Sequence, residues 1–429
     1  MNATLWNRRR FVKWVGAAPL LASLFVDDLL EKAHAAVGKS WKDNLYTRIG
    51  VRPLINARGT WTYLSGSLEL PEVRAAKQQA SMHFVDMYEL YQGVGRRLAQ
   101  LSGAEFGMVA SGAAGAMAAA TAACIAGADP ARIWQLPDTT GLKHEVIMFG
   151  GRSAFDSAIR LAGGKLVLAG AIEELQAALN DRTAMVYTTR DGVELEKALA
   201  ITKKAGVPML VDKAAGIPPI ENLSRFAKMG VDLYCFSGGK GLMGPQCSGL
   251  LLGRKDLIQA ALANYCPWEG AVCRPMKVGK EEIMGCLAAV EVWMKKDLET
   301  LDREWNERVK RIARLAETVP GVTTDIQTPR GGNRYPTLTV KWDEQAFGLS
   351  VQECARKLSE GEPRIEVLTN SNPSLVPAVL EGDNKSPRRE RPDALRIVPA
   401  TLQPGEDLII GRRLREVLGP ARKAGAPTG

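Results

Sequence analysis

Side chains that build metal centres are scarce in this sequence. Its 429 residues include three His and seven Cys, and no two cysteines stand in a C-x-x-C or C-x-x-x-C spacing. Zinc and iron–sulfur sites are assembled from such clusters, and disulfide frameworks use cysteines in pairs. The sequence therefore predicts neither a metal centre nor a disulfide-based fold.

A large excess of one charge sign is also missing. The chain carries 56 Lys and Arg against 47 Asp and Glu, a formal charge of +9, with 46% hydrophobic and 24% charged residues. This balance excludes a disordered, collagen-like or polytopic membrane protein. The small positive excess favours anionic small molecules and does not by itself indicate nucleic acid binding.

One predominantly apolar run, residues 14–26, lies near the N-terminus. It follows Arg8-Arg9-Arg10-Phe11-Val12-Lys13 and precedes Ala33-His34-Ala35. The run is short for a membrane span, whereas this order is typical of a secretory signal. The paired arginines resemble a twin-arginine signal, which implies the twin-arginine export machinery as a partner and a periplasmic or exported location. The alternative is an amphipathic N-terminal helix on a cytoplasmic protein, which Asp27 and Asp28 favour.

From Phe106 onward, short apolar runs alternate with helical patterns. The predicted strands are 107–110, 146–149, 165–169, 184–188, 208–211, 232–236 and 249–252. The predicted helices between them are 113–124, 153–161, 172–179, 195–205, 223–228 and 255–262. This alternation predicts an α/β fold with a mainly parallel seven-stranded sheet, whose ligands lie beyond the carboxyl ends of the strands. A TIM barrel would need eight even units, and the pattern breaks after Leu262.

The remainder is predicted as a linking helical run and a small α+β domain. Apolar residues recur at helical spacing from Ile283 to Ile312, as one long helix or two nearly continuous ones, and Pro320-Gly321 ends the run. The predicted organisation is a signal peptide at 1–35, an N-terminal arm at 36–69, a large domain at 70–280, a linking helix at 281–320, a small C-terminal domain at 321–419 and a tail at 420–429. Residues 371–393, with Arg388, Arg389 and Arg391, are predicted to form an exposed insertion.

Lys240 stands in a glycine-rich segment, 237–246, directly after the strand that ends at Phe236. Glycines allow close approach to a ligand, and burial would lower the pKa of this lysine so that it serves as an amine nucleophile and base. Ser237 gives the Ser-x-x-Lys spacing of many pyridoxal-phosphate (PLP) enzymes. The alternative is a nucleotide phosphate loop, but Walker A requires Ser or Thr after the lysine and Gly241 stands there.

Two further elements complete this pattern. Asp212 ends an apolar strand, where a carboxylate can keep a pyridine nitrogen protonated. The alternative is that Asp212 caps a helix or stands in a turn, as an aspartate at the end of a strand more often does. Ser111, Gly112 and Ala113 open a helix after the strand at 107–110, where free N–H groups can bind phosphate. Tight packing on a sheet would also require such small residues.

These segments together resemble a known family. The matching motifs are INARGT at 55–60, LPDTTG at 136–141, SGGKGLMGPQ at 237–246, RPMKVGK at 274–280 and TLQPGE at 401–406. They resemble the fold-type-I PLP-dependent family of bacterial selenocysteine synthase (SelA, L-seryl-tRNA(Sec) selenium transferase) and D-glucosaminate-6-phosphate ammonia-lyase. The resemblance implies an active site shared between subunits of a homodimer or higher homo-oligomer.

The resemblance also implies roles for individual residues. Lys240 would carry PLP as an aldimine, Asp212 would contact the ring nitrogen, and the phosphate would lie among Ser111, Gly112, Ala113 and Ser237. His144 would stack on the ring, or it is a turn or surface histidine. For a small anionic, amino-acid-like substrate, the candidate ligands are Arg274, Lys277, Lys280, Arg58 and Arg396, each of which could instead be a salt-bridged structural residue.

The predicted activity is an α,β-elimination of ammonia-lyase type on a hydroxylated amino acid or amino-sugar acid, with Lys240 removing the Cα proton. The alternatives are selenium transfer to seryl-tRNA, a catalytically idle scaffold, and a decarboxylase or aldolase on the same fold. Selenocysteine synthase has an additional N-terminal tRNA-binding region that is not matched here, and no RNA-binding motif is recognisable. We therefore expect no nucleic acid partner.

Overall fold

The computed structural model describes residues 43–329, 334–369 and 394–421. The predicted signal peptide, the whole insertion at 371–393 and most of the tail lie outside these ranges. The chain forms two compact units. The large unit is Thr60–Leu301, and the small unit comprises the described residues of Met1–Gly59, Asp302–Thr328 and Tyr335–Gly429. Residues 43–59, predicted as part of an N-terminal arm, thus belong to the same unit as the C-terminal region.

A seven-stranded sheet forms the core of the large unit. Its strands are β2 (Phe106–Ala110), β3 (Glu145–Phe149), β4 (Lys165–Ala169), β5 (Thr183–Thr188), β6 (Met209–Asp212), β7 (Leu233–Ser237) and β8 (Gly249–Gly253). They are ordered β2-β8-β7-β6-β5-β3-β4, and β8 alone runs antiparallel to its neighbours. This confirms the predicted α/β fold with a mainly parallel sheet. Most of these strands are buried on both faces, which explains their continuous apolar sequences.

Helices surround this sheet and link its strands. They are α1 (Pro71–Ser81), α2 (Met87–Ser102), α3 (Gly112–Ala126), α4 (Pro130–Gln135), α5 (Ser157–Leu161), α6 (Ile172–Ala178), α7 (Gly192–Ala205), α8 (Asn222–Met229), α9 (Lys255–Ala263) and α10 (Lys280–Trp293). The first two precede the region in which alternation was recognised. The sequence signals their ends: Pro71 opens α1, and the Asp86 carboxylate caps the amides of Tyr88 and Glu89 in α2.

The alanine-rich helix α3 is the central helix of the large unit. It is buried on nearly all sides and packs against β8 and α9. Small side chains allow this close approach. A Cβ atom on Gly249, the first residue of β8, would lie 2.6 Å from the backbone nitrogen of Ala113. The start of α3 is therefore fixed against the sheet.

The small unit contains two short sheets and four helices among its described residues. Strand β1 (Ile55–Ala57) pairs in parallel with β11 (Ile365–Val367), and β9 (Thr323–Gln327), β10 (Thr337–Lys341) and β12 (Leu395–Ile397) form an antiparallel sheet. The helices are α11 (Leu298–Ala316), α12 (Glu344–Phe347), α13 (Val351–Glu360) and α14 (Glu406–Leu418). Helix α11 begins four residues before the boundary between the two units. The helical run predicted from Ile283 onward is thus two helices, α10 and α11.

No helix in the described part of the chain is long and apolar enough to cross a membrane. The described residues also include no cluster of three or more His, Cys, Asp or Glu side chains that could hold a metal ion.

Candidate functional site

Lys240 lies in a compact turn between β7 and β8. The turn is closed by backbone hydrogen bonds from Gly238 to Ser248 at 2.8 Å and from Gly244 to Gly238 at 2.8 Å. Gly239 leaves no room for a side chain, because a Cβ atom there would lie 2.6 Å from the Cα of Gln246. Burial lowers the pKa of Lys240, although the charge of Asp212 opposes this shift. The turn therefore presents a partly desolvated amine.

Asp212 is the last residue of β6 and is buried. Its Oδ2 accepts a hydrogen bond from the Tyr187 hydroxyl at 2.8 Å, and its Oδ1 accepts one from the Ala214 amide at 2.8 Å. The Cys235 thiol lies 3.8 Å from Oδ1. Burial and the nearby Asp212 charge raise the pKa of Tyr187, so this phenol stays protonated and donates. The carboxylate is thus held in a defined orientation at the carboxyl edge of the sheet.

Ser111 immediately precedes α3, whose first amides have no partner within the helix. The Tyr265 hydroxyl accepts a hydrogen bond from the Ser111 amide at 2.7 Å and donates one to Ser111 Oγ at 3.1 Å. Tyr265 itself is fully buried. The turn before α3 is therefore fixed by a rigid aromatic residue.

A cavity of about 240 Å³ brings most of the predicted site residues together. Lys240, Asp212, Ser237, Ser111, Gly112 and Ala113 all line it. Its other lining residues had no individual role predicted for them, although three lie in the quoted motifs; they are Thr60, Thr62, Gly66, Ala114, Met117, Phe155, Ala214, Gly239 and Gln246. Among them, the Phe155 ring lies 5.9 Å from Lys240 Nζ.

His144 is not part of this cavity, and the stacking role predicted for it is wrong for this structure. It immediately precedes β3, and its backbone bonds with Arg182 and Lys165 lie at the amino end of that strand. Because β3 and β6 run in the same direction, His144 and Asp212 lie at opposite edges of the sheet. Phe155, in the loop after the carboxyl end of β3, is the aromatic residue that lines the cavity.

The predicted basic substrate ligands are not among the residues that line the cavity. In the large unit, Arg274 is half-buried, Lys277 is exposed, and Lys280 forms an ion pair with Glu281. In the small unit, Arg58 is buried and donates to the Val367 carbonyl at 3.1 Å.

Arg396, also in the small unit, lies on β12 and borders a polar groove with Lys341 and Asp325. The substrate role of all five basic residues stays a prediction.

Three residues at or beside the cavity had no role predicted from the sequence. Tyr187 and Tyr265 act on Asp212 and Ser111 from positions 25 and 154 residues away in the chain. Neither stands in a recognisable motif, since each contact depends on strand order and helix packing. Phe155 offered one usable signal, because it follows a buried strand at the edge where the ligands of such a sheet bind.

The donor set of the cavity fits PLP. Lys240 is an amine that could condense with an aldehyde, and Asp212 is a buried carboxylate suited to a protonated ring nitrogen. The first amides of α3 and the hydroxyls of Ser111 and Ser237 suit a phosphate. Phe155 adds an aromatic face.

The comparisons with known proteins agree with this assignment. The family model of class-V aminotransferases matches residues 165–272. The chain is 33% identical over 403 residues to the 5'-C-glycyluridine monooxygenase-decarboxylase of a Streptomyces species, covering 90% of this chain and 94% of that protein. It is 28% identical over 391 residues to the D-glucosaminate-6-phosphate ammonia lyase of Salmonella typhimurium, covering 87% and 98%. A solved structure of D-glucosaminate-6-phosphate ammonia-lyase superposes with a TM-score of 0.74 at 27% identity, over 89% of this chain and 100% of that one.

Fold, donor set and comparisons define a PLP-dependent enzyme of fold type I. Within that class, the chain belongs to the family that contains the Streptomyces monooxygenase-decarboxylase and the Salmonella ammonia lyase. The L-seryl-tRNA(Sec) selenium transferase of Moorella thermoacetica is also similar, at 25% identity over 425 residues, covering 88% of this chain and 84% of that protein.

Proposed function

We propose that this chain is a PLP-dependent lyase that catalyses an α,β-elimination on a hydroxylated amino acid or amino-sugar acid. The observation that carries the proposal is that Lys240 and Asp212 line one cavity with the first residues of α3. The similarity to D-glucosaminate-6-phosphate ammonia lyase over 98% of that protein supports this reaction class.

Each residue has a distinct role in this proposal. When bound, PLP supplies an electron sink that stabilises negative charge at the substrate Cα. Lys240 would hold the cofactor aldehyde, and Asp212 would keep a proton at the ring nitrogen. The amides of Gly112 and Ala113 and the hydroxyls of Ser111 and Ser237 would hold the phosphate.

Lys240 also carries the proton transfers. Its lowered pKa keeps a larger fraction of Nζ neutral, so the free amine can take the Cα proton. Among the described residues that line the cavity, Lys240 and Asp212 are the only titratable side chains. Lys240 is therefore also the group that can return the proton to the departing hydroxyl.

The first test combines cofactor binding with product analysis. The purified protein loaded with PLP should show a yellow absorption band that borohydride removes, and Lys240→Ala should lack it. Lys228→Ala, at an exposed lysine on α8, is the matched control and should retain the band. Hydroxylated amino acids and amino-sugar acids should then release a keto acid and ammonia. A protein that stays colourless with added PLP would overturn the enzymatic proposal and favour an idle scaffold.

Oxidative decarboxylation is the second candidate. It is supported by the 33% identity to the Streptomyces monooxygenase-decarboxylase over 94% of that protein. The same substrates would then consume oxygen and release carbon dioxide, without dehydration of the substrate. Parallel measurement of oxygen uptake, carbon dioxide and ammonia separates the two reactions, because elimination consumes no oxygen.

Export through the twin-arginine route is a separate proposal. It rests on Arg8, Arg9 and the segment Ala33-His34-Ala35. Changing both arginines to lysine should keep the protein in the cytoplasm, whereas the wild-type chain should appear in the exported fraction. Equal cytoplasmic retention of both proteins would contradict export and would leave seryl-tRNA accessible as a substrate, which salt-dependent binding to that tRNA would then test.

A further inference from the structure

Tyr187 forms a buried hydrogen bond with Asp212 but is not among the residues that line the cavity. The tyrosine lies on β5, one residue before its end, and only 3% of its surface is exposed. Its hydroxyl donates to Asp212 Oδ2 over 2.8 Å. A buried carboxylate oxygen without a donor is costly, so this bond constrains where the carboxylate points.

Ser153 lies close to the Tyr187 phenol, and its side chain opposes the rise in the pKa of Tyr187 that burial causes. Its Oγ accepts the amide of Phe155 at 3.1 Å, and Phe155 lines the cavity. The Tyr187 phenol therefore lies beside the loop that carries the aromatic wall of the cavity.

The other donors to Asp212 contact the other oxygen of its carboxylate, Oδ1. Oδ1 accepts the Ala214 amide at 2.8 Å and lies 3.8 Å from the Cys235 thiol. Because the backbone donor is fixed to Oδ1, the orientation of Oδ2 depends on Tyr187. A donated hydrogen bond also disperses the negative charge of a carboxylate and reduces its attraction for a proton.

We infer that Tyr187 is a positioning residue that sets how strongly Asp212 holds the proton of the cofactor's ring nitrogen. The inference rests on the proposed role of Asp212. It assigns to Tyr187 no contact with cofactor or substrate. Loss of its hydroxyl should leave Asp212 a stronger acceptor that is less well oriented.

The test uses the full chain loaded with PLP that is ¹⁵N-labelled at the ring nitrogen. In Tyr187→Phe, the proton resonance of the ring N–H should move downfield relative to the wild type. The dissociation constant for PLP, measured by equilibrium dialysis, should rise about tenfold, because a carboxylate that has lost its orienting partner is less well aligned with the ring nitrogen.

Tyr234→Phe is the matched control. Tyr234 is a fully buried tyrosine on β7 whose hydroxyl donates to the Leu223 carbonyl at 2.9 Å and not to Asp212. This variant should lose thermal stability without moving the resonance. If Tyr187→Phe lowers stability but leaves the resonance at its wild-type position, Tyr187 is merely structural and the inference is wrong.

Asp212→Asn separates this inference from the proposed function. If Asp212 contacts the ring nitrogen, the variant loses the shifted N–H resonance altogether. If the resonance persists in Asp212→Asn, the role proposed for Asp212 is wrong, and the inference about Tyr187 is overturned with it.

Discussion

Tyr265 holds Ser111 through both hydrogen-bonding functions of its hydroxyl. In Tyr265→Phe, the Ser111 amide and hydroxyl lose this partner, so the turn before α3 becomes less ordered. We expect the PLP dissociation constant to rise about tenfold, the effect of one or two lost hydrogen bonds. Fluorescence or dialysis titration of the apoprotein with PLP measures it. Tyr91→Phe removes a buried hydroxyl that has no hydrogen-bond partner, and should leave cofactor affinity unchanged. Equal affinities of both variants would contradict the role of Tyr265.

The predictability of the site differs from residue to residue for a physical reason. Lys240, Asp212 and Ser111 each stand at or just after the carboxyl end of a strand, so local sequence and the geometry of parallel sheets place them at one edge. His144 failed as a prediction because it precedes its strand and lies at the opposite edge. Tyr187 and Tyr265 meet their partners only through tertiary packing, about which a single sequence gives no direct signal.

At the scale of elements, the contact between β8 and α3 tolerates no side chain at Gly249. In Gly249→Ala, the new Cβ atom would lie 2.6 Å from the Ala113 nitrogen, so strand and helix must separate. We expect about 1–3 kcal/mol loss of stability, together with weaker PLP binding because the helix start moves. Gly93→Ala is the control, since no atom lies within 4 Å of a Cβ at this position in α2. Denaturant unfolding should show it about 0.5–1 kcal/mol more stable than the wild type.

Glu406 makes the stability of the small unit depend on pH. It is buried at the start of α14, where its Oε2 accepts the Gln403 amide at 2.7 Å, and burial raises its pKa to about 7. The folded state therefore binds this proton more tightly than the unfolded chain does. As pH rises from 4.5 to about 7, folding loses about 3 kcal/mol from this group. Glu406→Gln keeps an acceptor for Gln403 and should be more stable at pH 8 but nearly unchanged at pH 4, as urea unfolding at both values would show. If Glu406→Gln and the wild type were equally stable at pH 8, the ionised Glu406 carboxylate would not destabilise the folded protein, and the prediction would be wrong.

Most of the order of elements from Phe106 to Ala263 could be predicted because most strands are short apolar runs between helical patterns; the short helix α4 was not predicted. The reversal of β8 could not, because an antiparallel buried strand has the same apolar sequence as a parallel one. The two helices before Phe106 lie outside this alternation, and their polar, amphipathic sequences were not interpreted.

At the scale of the whole molecule, an exposed apolar group around the start of α2 predicts self-association. Phe84 is fully exposed, Met82 and Val85 are exposed beside it, and Tyr88 packs on Trp268 with ring centroids 5.1 Å apart. Exposed apolar patches of this kind typically mark protein interfaces. Light scattering should give the molar mass of a homodimer or larger homo-oligomer for the wild-type protein. The Phe84→Asp variant should have a smaller molar mass in solution. Val193→Asp, at another exposed position, should not. A monomeric wild-type protein would contradict the prediction.

The reversal of β8 has a consequence for the protein without its cofactor. Ser237 and Gly249 pair across β7 and β8, so Lys240 stands at the end of an internal hairpin whose two legs are also bonded to β6 and β2. The loops at the ligand-binding edge of a parallel sheet usually lead from a strand into a helix. Here the legs of the hairpin are part of the sheet itself. Removing the cofactor should therefore leave amide hydrogen exchange at Phe236 and Leu250 as slow as in the rest of the sheet core.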